Sequence, residues 1–179
     1  MPENLQLLIS SEQIRHRVEQ LGQEITEFYK SKGVGQGESL IVLSLLKGSI
    51  IFAADLIRNL DLPIKLHFME VSSYGEATES SGQVNILCDL NYEPRHEHIL
   101  IVEDIVDTGL TLEHIIGGLH NSSPHSVEIA TLLYKKDKAK LSHPVRFAGF
   151  TIKDEFVVGY GLDYQNRYRN LSYIAVLHH

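Results

Sequence analysis

The chain has 179 residues, a net charge of −7 and an apolar fraction of 43%, which fits a single packed domain over 1–179 and excludes a disordered chain. No apolar stretch reaches the length of a membrane span, and the first residues lack the basic and apolar segments of a secretory signal. The acidic balance disfavours non-specific binding to nucleic acid, and the lone cysteine excludes an internal disulfide framework and suits a reducing cytoplasm.

The first element along the chain is a predicted amphipathic helix. Apolar residues recur from Ile14 to Phe28 at alternating spacings of four and three, which places them on one helical face. Ser10 and Gln13 have the spacing of a capping box, so we expect the helix to begin directly after Ser10.

Strands and helices alternate through the rest of the chain. The predicted strands cover 40–46, 64–71, 84–87, 99–102, 127–134, 147–150, 156–158 and 172–177, and further helices cover 50–60 and 111–120. The run 40–46 is apolar throughout, as in a strand that is buried on both faces. This alternation indicates an α/β domain with a mainly parallel, twisted sheet flanked by helices, whose ligands bind beyond the carboxyl ends of the strands.

The segment 72–83 is rich in Ser, Gly and Glu and poor in apolar residues. This composition predicts a long mobile loop, with 84–87 as one short strand of a hairpin after it.

The stretch 99–112 reads ILIVEDIVDTGLTL and has the pattern of an anion site. The strand over 99–102 is expected to end directly at the carboxylates Glu103 and Asp104, and small and hydroxylated residues then open a helix. Backbone N–H groups at a helix N-terminus suit a phosphate monoester, and Gly109 allows close approach. The two carboxylates can accept hydrogen bonds from ribose hydroxyls. A Walker-type loop is excluded because its Gly-Lys-Ser/Thr ending is absent.

The string Val-Glu-Asp-Ile-Val-Asp-Thr-Gly resembles the motif with which type I phosphoribosyltransferases bind 5-phosphoribosyl-1-pyrophosphate (PRPP). Its form is most similar to the hypoxanthine (guanine) phosphoribosyltransferases. The resemblance extends over 40–177 through three further motifs: Leu46-Lys47-Gly48, Ser73-Tyr74-Gly75 and the stretch 156–164. Leu110 departs from the family, whose members often carry Lys or Asn there, and we expect it to change phosphate affinity modestly.

The resemblance implies a role for individual residues. It implies PRPP and phosphate binding by Lys47, Gly48, Glu103, Asp104, Asp107, Thr108, Gly109, Leu110, Thr111 and Arg169. It implies base binding by Lys135, Phe156, Val157 and Asp163, and catalytic roles for Asp107 and for Ser73 and Tyr74 on a lid around 72–83. It also implies Mg²⁺ held by Asp163, Glu103 and Asp104. The Leu46–Lys47 peptide can be cis in this family.

The implied reaction transfers the phosphoribosyl group from PRPP to N9 of a 6-oxopurine, hypoxanthine or guanine, and releases pyrophosphate. Asp107 is the implied general acid/base at purine N7, and a lysine donor at position 135 favours a 6-oxo over a 6-amino base. The lid excludes water from the oxocarbenium-like C1′. The resemblance further implies a hood formed by the N- and C-terminal segments, and a homodimer or homotetramer.

Two other functions stay open at this point. A xanthine- or guanine-preferring enzyme differs only in whether the backbone around Val157 and Asp163 accepts a 2-amino group on the base. The stretch 156–164 does not suit an adenine or orotate enzyme. An RNA-binding regulator of pyrimidine synthesis with the same fold needs a basic face, which the net charge of −7 disfavours.

Other charged residues are interpreted as solvated surface. Lys136, Lys138 and Lys140 are expected to form a basic loop. The sequence His96-Glu97-His98 is interpreted as a surface turn, because no third metal ligand is evident nearby in the chain. His178 and His179 are expected to form an exposed terminus.

Overall fold

The structure, a computed structural model, describes residues 4–73, 84–86 and 95–178. It begins with strand β1, Leu5–Ile9, followed by helix α1, Ser11–Ser31. The Ser10 side chain accepts a hydrogen bond from the Gln13 backbone N–H, and the Gln13 side chain accepts one from the Ser10 N–H. The predicted capping box is therefore confirmed, and it fixes the start of the helix.

The main elements follow the predicted alternation. In chain order they are β2 Leu40–Leu46, α2 Ile50–Ile57, β3 Ile64–Ser73, β4 Val84–Ile86, β5 His98–Val106, α3 Leu110–His120, β6 Ser126–Tyr134 and β7 Phe147–Thr151. The strands form one sheet in the order β4-β3-β2-β5-β6-β7. The five strands from β3 to β7 in this order are parallel, and β4 pairs with β3 in antiparallel orientation. The predicted α/β fold is confirmed.

The core lies on both faces of the sheet. Leu40 and Val42 point into the apolar cluster that contains the buried residues of α1 and α2, whereas Ile41 and Leu43 point into the cluster that contains those of α3. Because successive side chains of a strand alternate between faces, a strand covered on both sides must be apolar throughout. This explains the continuous apolar run of β2.

A second, smaller sheet joins the two ends of the chain. Strand β8, Val157–Val158, pairs with β9, Ile174–Leu177, which pairs in turn with β1, all in antiparallel orientation. This three-stranded sheet is the predicted hood. Strand β1 was not predicted, and β8 and β9 are shorter than their predicted ranges.

The acidic pair does not follow a strand as predicted but lies within one. Strand β5 continues through Glu103 and Asp104 to Val106, because Ile105 and Val106 still pair with residues of β6. The predicted strand end after residue 102 was therefore wrong. His98, predicted in a surface turn, begins this strand and is buried.

The predicted mobile loop is tested only at its start. Strand β3 extends to Ser73, two residues beyond the predicted strand end, so positions 72 and 73 are not in a loop. Positions 74–83, including Tyr74, lie outside the described residues. None of the helices in the part of the chain that the structure describes is long and apolar enough to cross a membrane.

Candidate active site

The predicted phosphate loop connects β5 to α3. Gly109 precedes the helix with a φ of 84°, and a Cβ at this position would lie 2.5 Å from Leu141 Cγ, so both the conformation and the space require glycine. The loop lines a cavity of about 100 Å³, whose walls are formed by Glu103, Ile105, Val106, Asp107, Thr108, Gly109, Thr111 and Leu112. Leu110 is 61% exposed in the first turn of α3.

Glu103 and Asp104 form a buried pair of carboxyl groups. Burial, followed by the neighbouring charge of Asp104, raises the pKa of Glu103 well above its usual range. Burial also raises the pKa of Asp104, although hydrogen bonds from Glu103 and from the Ile105 N–H oppose the shift. No described residue forms a hydrogen bond with Glu103 Oε2. The pair therefore has acceptor capacity that no residue in the described part of the chain uses.

The loop after β2 contacts this pair directly. The peptide between Leu46 and Lys47 is cis. A Cβ at Gly48 would lie 1.7 Å from Asp104 Oδ2, which shows that the carboxyl group packs against the backbone of this loop. The Lys47 Nζ is exposed and lies 3.4 Å from Glu70 Oε1, an ion pair that the sequence did not reveal.

Residues 159–169 complete the same corner of the site. A Cβ at Gly161, which has a φ of 101°, would lie 2.1 Å from the Gly48 carbonyl oxygen. Arg169 donates to the Gly161 carbonyl at 2.7 Å, and its Nη2 lies 2.6 Å from Asp163 Oδ1. The structure thus brings Gly48, Asp104, Asp163 and Arg169 together.

The lysine predicted to face the base is part of a network of four charges. Lys135 is 7% exposed, and its Nζ lies 3.1 Å from Asp107 Oδ2 and 2.8 Å from Asp154 Oδ1. Lys138 Nζ lies 3.0 Å from Asp154 Oδ1 and 2.9 Å from Asp107 Oδ1, where the geometry is that of an ion pair rather than a hydrogen bond. Hydrogen bonds from the two lysines lower the pKa of Asp154, and the contacts with the carboxylates of Asp107 and Asp154 raise the pKa of Lys138.

The network shows that the interpretation of Lys138 was wrong, and it includes one residue, Asp154, that was not predicted. Lys138 was assigned to a solvated loop but contacts Asp107, because the chain turns back on itself after β6: the N–H groups of Lys138 and Ala139 both donate to the Lys135 carbonyl. Asp154 was missed. Its only signal in the sequence is its position just before the stretch 156–164.

A second cavity lies beside the phosphate loop. Its volume is about 260 Å³, and it is lined by Asp104, Ile105, Asp107, Lys135, Glu155, Phe156, Val157, Leu162 and Asp163. The four predicted base-binding residues are all among them. The Phe156 ring is 46% exposed and meets the Tyr164 ring edge-on at 5.6 Å between centroids. Ile105 and Asp107 line both cavities.

The carboxylates fit the magnesium ion that the resemblance implies. Mg²⁺ prefers oxygen ligands and keeps several waters, so it needs only one or two carboxylates from the protein. Glu103 Oε2 is a buried acceptor that lacks a hydrogen-bond partner among the described residues. A divalent cation would also offset the mutual repulsion of Glu103 and Asp104, which favours their protonated forms.

The family model of the phosphoribosyl transferase domain matches residues 10–165. Together with the parallel sheet and the loop between β5 and α3, this match shows that the chain belongs to the phosphoribosyltransferase family. The chain is 45% identical over 171 residues to the hypoxanthine-guanine phosphoribosyltransferase of Mycobacterium avium, covering 96% of this chain and 84% of the relative. It is 44% identical over 172 residues to the hypoxanthine phosphoribosyltransferase of Haemophilus influenzae, covering 96% and 94%.

Solved structures give the same result. A hypoxanthine phosphoribosyl transferase from Trypanosoma cruzi, studied for the role of its C-terminal region in oligomeric state and activity, matches with a TM-score of 0.91 and 39% identity. The match covers 99% of this chain and 94% of that one. A hypoxanthine phosphoribosyltransferase from Staphylococcus aureus matches with a TM-score of 0.88 and 41% identity, covering 98% and 92%. The resemblance to this family is confirmed.

Proposed function

We propose that the protein transfers the 5-phosphoribosyl group of PRPP to N9 of hypoxanthine or guanine, forming the nucleotide and pyrophosphate. The observation that carries this proposal is the adjacency of the two cavities, which share Ile105 and Asp107. A purine nucleotide has a base at one end and a 5′-phosphate at the other, and the two cavities offer a place for each.

The proposed base site is the larger cavity. Phe156 stacks on the purine, the backbone of Val157 reads its hydrogen-bonding edge, and Lys135 donates to O6. Lys135 is held by Asp107 and Asp154 and is almost fully buried, so its ammonium group has little freedom to turn away. A fixed donor discriminates strongly against a 6-amino group, since that group would leave the third N–H of the Lys135 ammonium without an acceptor.

The proposed phosphate sites follow from the loops around Asp104. The backbone from Thr108 to Thr111 cradles the 5′-phosphate at the start of α3. Lys47 and Arg169 neutralise the pyrophosphate. Gly48 belongs to the short loop after β2 that binds the same group. Glu103 and Asp104 accept hydrogen bonds from the ribose hydroxyls. When bound by Asp163 and this acidic pair, Mg²⁺ supplies charge neutralisation for the leaving group.

Asp107 is the proposed general base. It lines both cavities and thus lies beside the place where the base meets the ribose. It accepts the proton from N7 of the purine, which raises the electron density at N9 as that atom attacks C1′. Ser73, the last residue of β3, and Tyr74 directly after it lead into the proposed lid that excludes water from C1′.

The test is turnover with PRPP and Mg²⁺ and, in separate assays, hypoxanthine, guanine, xanthine or adenine, followed by absorbance. We expect turnover with hypoxanthine or guanine that EDTA abolishes, and the ratio of the two rates gives the preference. In Asp107→Asn, kcat should fall by about 10²–10⁴-fold, while the KM for PRPP changes little. The exposed Asp137→Asn, close by in the chain, is the matched control and should retain full activity.

Two results would contradict the proposal. Turnover with adenine as fast as with hypoxanthine would exclude a 6-oxopurine site built around Lys135. A chain that binds PRPP but converts none of the four bases is not a transferase of this kind, and the RNA-binding regulator becomes the better explanation.

We further propose a homodimer or homotetramer in the cytoplasm. The assembly is supported by the Trypanosoma cruzi relative, whose C-terminal region was studied for its role in the oligomeric state. The location is supported by the lone cysteine in the sequence. Light scattering after size-exclusion chromatography tests the assembly, and a mass of one chain would contradict it.

A further inference from the structure

Strands β2, β5 and β6 begin side by side. Their amino-terminal ends lie at the end of the sheet opposite the candidate active site. In the register of the parallel strands, Leu40 of β2 pairs with His98 of β5, and His98 pairs with Ser126 of β6. Residues that directly precede β2 and β6 therefore lie next to His98. Among the described residues, this register brings together Glu38, His98 and His125, whose ligand atoms all lie within 4.8 Å of one another.

The central histidine is held in place. His98 is 8% exposed, and its Nδ1 lies 2.7 Å from Ser126 Oγ. The Tyr29 ring packs against the imidazole at 5.8 Å between centroids. Histidine ligands of metals have their second ring nitrogen fixed in this way by a neighbouring hydrogen-bonding group, which orients the first. With Nδ1 engaged by Ser126, Nε2 of His98 is the nitrogen that remains for a ligand.

The two outer residues are exposed, but their backbones are fixed. The His125 N–H donates to the Glu97 carbonyl at 2.9 Å, and the Glu38 carbonyl accepts from the Gly35 N–H at 3.1 Å. Their side chains are thus free to adjust by rotation while their Cα atoms stay beside His98. Donor atoms of a tetrahedral zinc centre, with bonds of about 2.0–2.1 Å, lie about 3.4 Å apart. Since the ligand atoms lie within 4.8 Å of one another, each pair has to close by at most about 1.4 Å to reach this spacing.

We propose that Glu38, His98 and His125 bind one divalent transition-metal ion and that Zn²⁺ is the ion that suits them best. Two imidazoles and one carboxylate are a donor set of mononuclear zinc sites, with water at the fourth position. Mg²⁺ and Ca²⁺ prefer sites made of oxygen ligands, so the magnesium that supports catalysis does not compete here.

The proposed site is distant from the candidate active site. His98 and Asp107 are separated by the length of β5, about 30 Å at roughly 3.3 Å per residue. An ion here joins the start of β5 to the segments that precede β2 and β6, and these three strands are neighbours in the sheet. Since the ligands converge only in the folded chain, bound Zn²⁺ stabilises the native state by mass action.

The experiment is a Zn²⁺ titration of protein freed of metal with EDTA and then desalted, in excess Mg²⁺ to occupy the catalytic carboxylates. Calorimetry gives the stoichiometry and affinity, and a parallel Co²⁺ titration reports tetrahedral coordination through its visible d–d absorption. The variants are His125→Ala and Glu38→Gln, both at exposed positions. The matched control is His114→Ala, which removes an exposed imidazole on α3.

We expect wild type and His114→Ala to bind one more equivalent of Zn²⁺ than His125→Ala. Glu38→Gln should lose more affinity than the roughly 10–100-fold that removing an outer hydrogen-bond partner costs. Zn²⁺ should raise the Tm of wild type and of His114→Ala but not that of His125→Ala. Equal stoichiometry and affinity in all four proteins would overturn the proposal, because the ion would then be bound by other side chains.

Discussion

The Asp104 carboxyl group packs directly against the Cα atom of Gly48, since a Cβ at Gly48 would lie 1.7 Å from Asp104 Oδ2. Asp104 is 8% exposed and cannot easily give way. The contact fixes the loop after β2 relative to the end of β5, two segments that reach the site from neighbouring strands.

The first prediction concerns Gly48→Ala. The added methyl group must displace either the loop or the carboxyl group, and overpacking of this kind costs about 1–3 kcal/mol of stability. We expect the KM for PRPP to rise by about tenfold or more, since a 1.4 kcal/mol loss of binding is a factor of ten. Steady-state kinetics and thermal unfolding measure the two effects.

Gly117→Ala is the matched control for this change. Gly117 lies within α3, and a Cβ there meets no atom within 4 Å. The substitution should stabilise the protein by about 0.5–1 kcal/mol, because alanine is the better helix former. Equal KM values for PRPP in the two variants would show that the Gly48 contact has no role in binding.

The second prediction uses the raised pKa of Glu103. At pH values well below about 4.3, the ordinary pKa of a glutamate, its carboxyl group is neutral in both the folded and the unfolded state. As the pH rises from there towards the raised folded-state pKa, the unfolded chain loses its proton first, so wild type loses stability. Glu103→Gln stays neutral throughout. In EDTA, its advantage in Tm over wild type should be near zero at pH 4 and at least about 2 °C at pH 8.

The variant should also bind PRPP and Mg²⁺ more weakly, since it lacks the charged acceptor. Glu19→Gln, at an exposed position of α1, should show no pH-dependent gain in Tm. A constant difference in Tm between Glu103→Gln and wild type across this pH range would mean that Glu103 is already ionised in the folded protein.

The third prediction is that Asp154 positions Lys135 for the base. Asp154→Asn removes the carboxylate that contacts both Lys135 and Lys138. We expect the KM for hypoxanthine to rise by about threefold to tenfold, with a smaller change in kcat, because Asp107 still holds the lysine. Asp137→Asn is the control, because it removes an exposed carboxylate from the turn that contains Lys138. A fall in kcat without a change in KM would assign Asp154 to the chemical step instead.

The fourth prediction concerns the exposed ring of Phe156. Base–aromatic stacking is worth about 1–3 kcal/mol, so Phe156→Ala should raise the KM for hypoxanthine by about tenfold. Phe156→Tyr keeps the ring and should retain the wild-type KM. Because Phe156 is 46% exposed, Tm should change little in either variant. If alanine and tyrosine give the same KM, the ring does not contact the base.

Local patterns were sufficient to predict much of the fold. The capping box and the apolar spacing of α1 are local features, as is the apolar run of β2, so the sequence displays them directly. Strand β1 could not be predicted in this way. Its sequence LQLLI lacks strict alternation, and it becomes a strand by pairing with β9 at the other end of the chain.

The parts of the candidate site that could not be predicted also depend on contacts between residues that are distant in the sequence. A contiguous motif made the loop from Glu103 to Thr111 visible in the sequence. Lys138 reaches Asp107 through the turn after β6, and Asp154 reaches the two lysines from the segment after β7. The group of Glu38, His98 and His125 is separated in the sequence by 60 and 27 residues and is assembled only by strand register. Spacing within one segment carries no signal for either arrangement.

The hood makes the chain a candidate for circular permutation. Leu5 pairs with Leu177, and the His178 N–H donates to the Asn4 carbonyl at 3.0 Å, so the two ends of the described chain lie side by side. A short linker could therefore close the backbone into a circle, with new termini opened in an exposed turn elsewhere. Such a permutant would keep β8, and with it Val157 in the wall of the base cavity, in its present place.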